Sequence, residues 1–262
     1  MPHSAPQPAA ELTLIALPGF PQVAGGDDLA GMTAAALSRA ALTLRAGDVL
    51  VVAQKVISKA EGRRVDLATV TPGARALELA QTVQKDARLV ELVLRESTRV
   101  VRAAKDVLIV EHRLGLIMAN AGIDQSNIAD PAGGDFALLL PEDPDASAAR
   151  LRERLGALTG CAPGVVVSDS FGRPWRVGTV GVAIGCAGFA ATLDLRGQPD
   201  LYGRPLRVTI VGHADEVASA ASILMGQANQ AHPVILVRGA ATAAPHQPAS
   251  ALLRPPAQDL FR

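Results

Sequence analysis

The sequence predicts a mixed α+β fold, and three observations lead to that prediction. Short runs rich in Val, Ile and Leu, which are typical of buried strands, recur along the 262 residues together with helical patterns. The two kinds of pattern do not alternate strictly, because two helical patterns follow each other at 75–101. A hairpin pattern joins 107–111 to 116–119 around Leu114-Gly115. These departures favour mixed sheets with helices over a doubly wound parallel sheet.

Seven strands and five helices are predicted in chain order. The strands lie at 12–17, 49–53, 107–111, 116–119, 165–168, 206–211 and 234–237. The helices lie at 29–44, 75–85, 87–101, 147–158 and 215–225. Gly160 is expected to end the fourth helix, and Asp215 is expected to cap the start of the fifth.

Composition divides the chain into three parts. Residues 1–10 are expected to form a disordered lead-in, 11–239 a folded domain, and 240–262 an Ala/Pro-rich tail. Apolar residues make up 49% of the chain, which excludes disorder as its general state. The 25 basic residues balance the 25 acidic ones, and this argues against a nucleic-acid scaffold.

The sequence indicates a cytoplasmic protein that neither enters a membrane nor is secreted. Cys161 and Cys186 are too few for a disulfide framework or a four-thiolate zinc site, which favours a reducing compartment. The long uncharged stretches at 177–193 and 217–237 contain glycines or polar residues that do not suit hydrocarbon. The N-terminus has no basic region followed by an apolar one, so it does not resemble a secretory signal.

Familiar catalytic motifs are absent from the sequence. It contains no G-x-x-x-x-G-K-[ST], G-x-S-x-G, H-E-x-x-H or C-x-x-C, which removes the usual support for a Walker-type loop, a serine hydrolase or a zinc enzyme. The five histidines are scattered singly, and for each a structural or exposed role is the simpler interpretation.

Four polar segments follow apolar patterns, at 54–63, 120–127, 168–178 and 225–233. The first contains Lys55 and Lys59, two of only four lysines, which could bind phosphate or equally be solvated surface residues. The second offers oxygen ligands around Asp124, although its residues are also ordinary turn formers. Asp169 and Ser170 follow a predicted strand, where magnesium ligands often lie. They could equally be an ordinary strand end that binds nothing.

The fourth segment could wrap a nucleotide or be a routine connection between a helix and a strand. In the third segment, Arg173 and Arg176 are candidates for binding anionic substrate groups, or are simply solvated. Each segment is a weak signal alone. Together they predict a magnesium-phosphate site.

The same residues carry a resemblance to a known family, the coenzyme F420:L-glutamate ligases, which are gamma-glutamyl ligases of deazaflavin cofactor biosynthesis. The matching stretches run in the family's order over roughly 12–240: 17–18, 26–29, 47–50, 57–63, 120–124, 126–127, 139–141, 143–145, 168–170, 172–173, 181–185, 200–204, 215–216 and 225–226. The resemblance covers nearly all of the predicted folded part, and the combination is specific although no single stretch is.

The resemblance implies an α+β fold of two intertwined subdomains, an intertwined homodimer, and a GTP-dependent ligase. Such an enzyme adds L-glutamate to F420-0, and in some members further gamma-linked glutamates, through an acyl phosphate. It implies Mg²⁺ or Mn²⁺, with K⁺ as an optional further cation, held by residues that fall here on Asp124, Asp169, Ser170 and Gln227. The nucleotide-binding segments fall on Leu17, Pro18, Gly19, Phe20, Gln54, Lys55, Lys59, Asn127, Met225, Gly226, Gln227, Ala228, Asn229, Gln230, Ala231 and His232.

This sequence departs from the family pattern in two places. The position of Gln227 can be acidic in relatives, so a neutral amide would bind the cation more weakly, and the segment after Leu17-Pro18 differs. Some relatives continue into a flavin-binding domain, and Arg254-Pro255-Pro256 with Asp259-Leu260-Phe261 resembles that junction, but no activity of that domain is expected here.

The catalytic candidates are Lys59, Arg173 and Arg176, and no general base can be named. Lys59 and the metal would neutralise charge on the transferring phosphate. Two other functions stay open, a metal-dependent phosphatase that uses Asp124 and Asp169, and a guanine-nucleotide-binding protein without catalysis.

Overall fold

The computed structural model describes residues 10–128 and 133–259. The predicted lead-in therefore lies outside the described residues apart from residue 10, and so do Leu260 and Phe261 of the predicted junction. In the described part of the chain, no helix combines the length and the apolar character that are needed to cross a membrane.

The described strands are β1 (Thr13–Ala16), β2 (Val49–Ala53), β3 (Arg64–Asp66), β4 (Ser97–Ala104), β5 (Val107–His112), β6 (Ile117–Ala119), β7 (Phe136–Leu138), β8 (Gly164–Arg173), β9 (Arg176–Ala187), β10 (Leu193–Asp194), β11 (Ile210–Val211) and β12 (Val234–Arg238). The α-helices are α1 (Leu29–Arg39), α2 (Gln54–Ala60), α3 (Ala74–Val83), α4 (Ala87–Arg95), α5 (Pro144–Thr159) and α6 (His213–Met225). This mixture confirms the predicted α+β class.

A five-stranded sheet forms the larger unit, in the order β1-β12-β2-β8-β9. The pair β2–β8 is parallel and the other neighbours are antiparallel. Side chains alternate between the two faces of each strand, so Leu50 and Val52 pack beneath α1 and α5, while Val49 and Val51 pack beneath α6. The sheet is therefore buried on both faces.

A smaller unit lies between α2 and α5 in the sequence and has its own core. It contains the sheet β4-β5-β6, the pair β3–β7, and the helices α3 and α4. Leu79, Val90, Leu108 and Val110 are among its buried residues, and this cluster is separate from the two clusters on the large sheet. The chain thus leaves the large sheet after β2, builds the smaller unit, and returns at β8.

Several local predictions are confirmed. Strand β2 has the predicted bounds, and β5 pairs with β6 as a hairpin around Gly115, whose φ of +83° suits glycine at that turn. Gly160 follows α5 in the left-handed conformation, with φ +74°.

Three predicted elements are too long or start in the wrong place. The helix predicted at 87–101 ends at Arg95, because the following residues, which include the β-branched Thr98 and Val100, pair with β5 as strand β4. The first helix ends at Arg39 rather than at 44, and of the strand predicted at 206–211 only Ile210–Val211 forms.

Asp215 does not cap α6, because Gly212 is the capping residue and the helix begins at His213. The Asp215 carboxylate instead accepts a hydrogen bond from the Ala183 N–H at 2.8 Å and so ties α6 to β9. Burial raises the pKa of this carboxyl, against the lowering effect of that hydrogen bond.

Strand β9 was not predicted, because its glycines and mixed residues hide the alternating pattern. Two of these glycines have a packing role, since a side chain at Gly181 would collide with the backbone of α6 and one at Gly185 with the backbone of α5. The short helix α2 was also missed, because its polar residues lack an apolar periodicity that would distinguish it from a loop.

The predicted tail packs against the large unit at Ala249. Ala249 is buried, and its N–H donates to Asp145 Oδ1 at 2.7 Å. The same carboxylate oxygen accepts the Cys186 N–H of β9, also at 2.7 Å. Through Asp145, the N-terminal end of α5 is therefore hydrogen-bonded both to the C-terminal end of β9 and to the tail.

Glu96 lies at the centre of a charged cluster in the smaller unit, which includes Arg63 just after α2. Arg63 Nη2 and Arg113 Nε lie 3.1 and 3.2 Å from Glu96 Oε2, and Arg63 Nε also donates to the Leu140 carbonyl. His112 Nδ1 accepts the Leu114 N–H, so its proton lies on Nε2, which faces Glu96 at 3.5 Å. Burial alone would raise the pKa of Glu96, but His112 and the two arginines outweigh it and lower the pKa to about 2.

Replacing Glu96 with Gln is expected to lower the free energy of unfolding at pH 7 by about 2–3 kcal/mol, because two arginines lose their buried partner. The pKa of Glu96 lies below its ordinary value of 4.5, so its stabilisation is complete above that pH and is lost as the pH falls towards 2. Urea unfolding of both proteins should therefore give a smaller difference at about pH 3.5 than at pH 7.

Glu78→Gln is the matched control, since Glu78 is exposed on α3 and its carboxylate forms an ion pair with the exposed Arg75 across one helical turn. It should change the free energy of unfolding by less than about 0.5 kcal/mol. A Glu96→Gln effect that stays the same at both pH values would contradict the electrostatic origin of the stabilisation.

Candidate functional site

The site lies where strand β2 ends and its parallel pairing with β8 stops, whereas β8 itself continues to Arg173, beyond the predicted end at residue 168. Ala53 of β2 is paired with Ser168 of β8, so Gln54 and Asp169 follow side by side. Helix α2 begins at Gln54 directly after the strand, and it carries Lys55 and Lys59 one turn apart on one face. The register of one strand pair thus brings two of the four polar segments together.

The two lysines of α2 reach across to the loop 124–127 of the smaller unit. Lys55 Nζ lies 2.5 Å from Asp124 Oδ2 and donates to Ser126 Oγ at 2.7 Å. Lys59 Nζ donates to the Asn127 carbonyl at 2.8 Å. Burial, together with the nearby positive charge of Lys55, lowers the pKa of Lys59 below its ordinary value.

Asp124 is held in place by its own loop as well as by Lys55. Its carboxylate accepts the Ser126 N–H at 2.7 Å and the Ser126 hydroxyl at 3.0 Å. Burial acts to raise the pKa of Asp124, but the Lys55 ammonium and the Ser126 N–H outweigh it and lower the pKa. Asp124 is therefore ionised over the whole neutral range.

Asp169 is half-buried, and its charge is less well compensated. Burial raises the pKa of Asp169 to about 6, and the negative charge of Asp124 adds to that effect. The Ser170 N–H, the Lys55 ammonium and the Gln54 side chain act in the opposite direction without cancelling it. Two carboxylates thus approach each other in a place where a further positive charge would stabilise both.

Ser170 and Gln227 complete the predicted metal set. Ser170 Oγ donates to Gln227 Oε1 at 2.8 Å, and this hydrogen bond joins the middle of β8 to the loop that follows α6. Asp124, Asp169, Ser170 and Gln227 all line one cavity. The structure therefore brings together the four residues on which the resemblance places the metal.

The chemistry of these donors fits a hard divalent cation. They offer two carboxylates, a hydroxyl and an amide oxygen, whereas among the described residues no group of three or more His, Cys, Asp or Glu side chains could hold a metal. Magnesium is commonly bound by one or two carboxylates together with substrate phosphates. The set thus suits a cation that a phosphate ligand helps to hold.

Two cavities meet at this set of residues. The first has a volume of about 350 Å³, and the second one of about 570 Å³. Four residues line both of them, namely Lys55, Asp169, Ser170 and Gln227. The candidate metal site therefore forms the boundary between two separate binding spaces.

Most of the predicted nucleotide-binding residues line the first cavity. They are Phe20, Gln54, Lys55, Lys59, Asn127, Met225, Gly226, Gln227, Ala228, Asn229, Ala231 and His232. Four others do not line it. Leu17 is fully buried in the core, and Pro18 is exposed in the bend at 18–19. The Gly19 carbonyl accepts a hydrogen bond from Arg39, and the Gln230 side chain accepts the Ala228 N–H within its own loop.

The two candidate arginines are placed differently. Arg173 lines the second cavity, with its Nε buried and without a hydrogen-bond partner among the described residues. Arg176 is exposed at the start of β9 and lines neither of the two cavities. The sequence alone did not separate these two residues.

Sequence reasoning missed part of the lining of both cavities. Gln22 and Ser222 line the first, and Ile109, Ile117 and Met118 form an apolar wall of the second. The last three read as ordinary strand residues, because a cavity-facing side chain has the same pattern as one that faces a core. No signal in the single sequence marks them as functional.

Comparisons with known proteins agree on one family. The family model described as F420-0:Gamma-glutamyl ligase matches residues 19–239. The chain is 43% identical to the coenzyme F420:L-glutamate ligase of Methanothermobacter thermautotrophicus, over 87% of this chain and 89% of that protein. It is 44% identical to the protein of the same name from Methanopyrus kandleri, over 92% and 94%, and 45% identical to that from Halorubrum lacusprofundi, over 87% of each.

The arrangement of charges predicts opposite effects of two substitutions on the pKa of Asp169. Lys55→Met should raise it above about 6, because a nearby positive charge is removed, whereas Asp124→Asn should lower it, because a nearby negative charge is removed. Titration of the carboxyl carbons by ¹³C NMR, without added divalent cations, measures both changes.

Lys105→Met is the control, since Lys105 is exposed in the turn between β4 and β5 and lines neither cavity. It should leave the Asp169 titration where it is in the unchanged protein. Shifts of the same sign in the Lys55 and Asp124 variants would rule out this description of the charges.

Proposed function

We propose that this chain, which belongs to the F420-0:gamma-glutamyl ligase family, is an enzyme that joins L-glutamate to F420-0 at the expense of GTP. The family match supports the ligase activity and its two substrates. The observation that carries the use of a nucleoside triphosphate is the pair of lysines on α2, which lie beside two carboxylates at the boundary of two cavities.

The need for a phosphate donor follows from the reaction. Joining a carboxylate to an amine in water is uphill, so the carboxylate must first be activated. The first cavity suits the triphosphate because Lys55 and Lys59 supply compact positive charges there, and an ammonium can contact phosphate oxygens from several directions. Lys59 serves the phosphate better than a fully solvated lysine would, because it is partly desolvated.

We propose two chemical steps. A carboxylate oxygen of F420-0 attacks the γ-phosphorus of GTP, the bond from that phosphorus to the bridging oxygen breaks, and GDP leaves with the bond electrons. The amino nitrogen of L-glutamate then attacks the acyl carbon of the acyl phosphate. The bond from that carbon to the phosphate oxygen breaks, inorganic phosphate leaves, and the nitrogen gives up its proton to water.

Asp124, Asp169, Ser170 and Gln227 would hold Mg²⁺ or Mn²⁺, and a cation there would supply positive charge that neutralises the transferring phosphoryl group. The lysines of α2 also fix the loop that carries Asp124. The Lys55 ammonium links α2 to Asp124, and Lys59 fixes the adjoining loop through the Asn127 carbonyl. The neutral Gln227 reduces the negative charge of the set, so we expect modest affinity for the cation without nucleotide. The K⁺ ion and the cytoplasmic location stay predictions.

Asp124→Asn is expected to reduce formation of the glutamate adduct at least about a hundredfold, because it removes one of two carboxylates from the metal set. The assay contains F420-0, L-glutamate, GTP and Mg²⁺, and product masses are read by mass spectrometry together with GDP and phosphate. Asp106→Asn is the control, since Asp106 lies in the turn between β4 and β5 with a φ of +62° that asparagine tolerates.

The same assay distinguishes the other two functions. Phosphate release from GTP without an amine acceptor would indicate a phosphatase, and GTP binding without any phosphate release would indicate a non-catalytic nucleotide-binding protein. Full glutamate-dependent activity of the Asp124 variant would remove the support for the metal assignment.

We also propose that the chain forms a homodimer through the tip of the β8–β9 hairpin and the segment before β11. Large apolar side chains stand exposed there, with Trp175 at 89%, Tyr202 at 90% and Val177 fully accessible. Trp175 and Val177 are two residues apart at the hairpin tip, and an apolar patch that stays exposed is typical of a surface that another chain covers.

Val177→Asp is expected to convert a dimer into a monomer of 27.0 kDa, because burying the new carboxylate at the interface would be unfavourable. Light scattering after size-exclusion chromatography gives the mass. Leu77→Asp, at an exposed position of α3 in the smaller unit, should leave the mass unchanged. A dimer that persists in the Val177 variant would mean that the chains associate through another surface.

A further inference from the structure

We propose that the second cavity is the binding site for the acceptor of glutamate, and that Arg173 binds an anionic group of that acceptor there. This inference rests on the ligase function proposed above. The chemistry of the cavity specifies a molecule with three features: an extended apolar part, an anionic group, and a carboxylate that reaches the boundary with the first cavity.

The two cavities share a charged boundary. A phosphate donor in the first cavity and a carboxylate in the second would meet at the residues that line both, among them Lys55 and Asp169. Transfer of a phosphoryl group requires donor and acceptor on opposite sides of the phosphorus. Two cavities with a charged boundary are compatible with this arrangement.

The second cavity has apolar walls that come from both units. Ile117 and Met118 of β6 come from the smaller unit, while Phe171 and Pro174 come from the β8–β9 hairpin of the large unit. The volume of about 570 Å³ lies in the range of small-molecule sites, and such sites prefer boundaries between structural units. These walls suit a flat, apolar part of a ligand better than they suit a triphosphate.

The hydrogen-bonding groups of Arg173 are poorly satisfied by the protein. Among the described residues, its Nε is buried without a hydrogen-bond partner, and its Nη2 donates to the Val177 carbonyl at 3.3 Å. No carboxylate in the described part of the chain lies within ion-pair distance of Arg173. By contrast, ion pairs with acidic side chains are formed by Arg63, Arg99, Arg150 and Arg238. A buried guanidinium donor without a partner costs free energy, and an anion in the cavity would remove that cost.

The test measures the Michaelis constants for F420-0, GTP and L-glutamate separately in Arg173→Ala and Arg173→Lys. Arg173→Ala is expected to raise KM for F420-0 roughly ten- to a hundredfold, as for loss of a hydrogen bond between charged groups, and to change the other two constants less than about twofold. Arg173→Lys keeps the charge but loses the planar fork, so it should recover part of the loss.

A second variant tests the cavity without touching a charge. Ala119 is exposed on β6 and lines only the second of the two cavities, so Ala119→Trp would fill that space. Equilibrium titration with F420-0 in the absence of GTP should show at least about tenfold weaker binding, with GTP binding unchanged. Arg75→Ala, at an exposed position of α3, is the control for loss of an arginine.

Three results would overturn the assignment. They are an unchanged KM for F420-0 in an otherwise active Arg173→Ala enzyme, a rise in KM for GTP or L-glutamate instead, and an equal effect of Arg75→Ala, whose side chain lies outside both cavities. Failure of the ligase proposal is recognised separately. The wild-type protein would then form no adduct, while F420-0 binding that depends on Arg173 would still support the site.

Discussion

The candidate site depends on one electrostatic constraint, the approach of Asp124 and Asp169 in a half-buried place. Lys55 compensates Asp124 closely, but the pKa of Asp169 still rises to about 6 because of its burial and its neighbouring carboxylate. Burial therefore leaves the Asp169 carboxylate less stabilised than it would be in water. In the proposed function, a bound cation would stabilise that carboxylate, and the cavities on either side would hold the phosphate donor and the acceptor.

The fold meets this constraint by joining segments that lie far apart in the sequence. The parallel register of β2 and β8 sets α2 beside Asp169, and the lysines of α2 draw in the loop that carries Asp124. Because that loop belongs to the smaller unit, its position depends on how the two units are joined. Within the smaller unit, the ion cluster around Glu96 holds Arg63, which lies just after α2 where the chain enters that unit.

The sequence predicted the chemistry of the site better than its shape. Val-rich β2 and the polar segments behind the strands could be identified directly, and the resemblance named Asp124, Asp169, Ser170 and Gln227, which the fold brings together. The apolar wall at Ile117 and Met118 could not be predicted, because alternation along a strand does not tell a core from a cavity. Strand β4 was mistaken for helix, since its pairing with β5 outweighs local propensity. The difference between Arg173 and Arg176 depends on the hairpin turn between them, which only the three-dimensional structure defines.

The most direct test of the account is a crystal structure of the protein with Mn²⁺ and a non-hydrolysable GTP analogue, in which anomalous scattering locates the metal. The account predicts one peak within coordination distance of the carboxylates of both Asp124 and Asp169, with the triphosphate in the cavity that Lys59 lines. A manganese ion bound by only one of these carboxylates, or a triphosphate in the cavity that Arg173 lines, would contradict it.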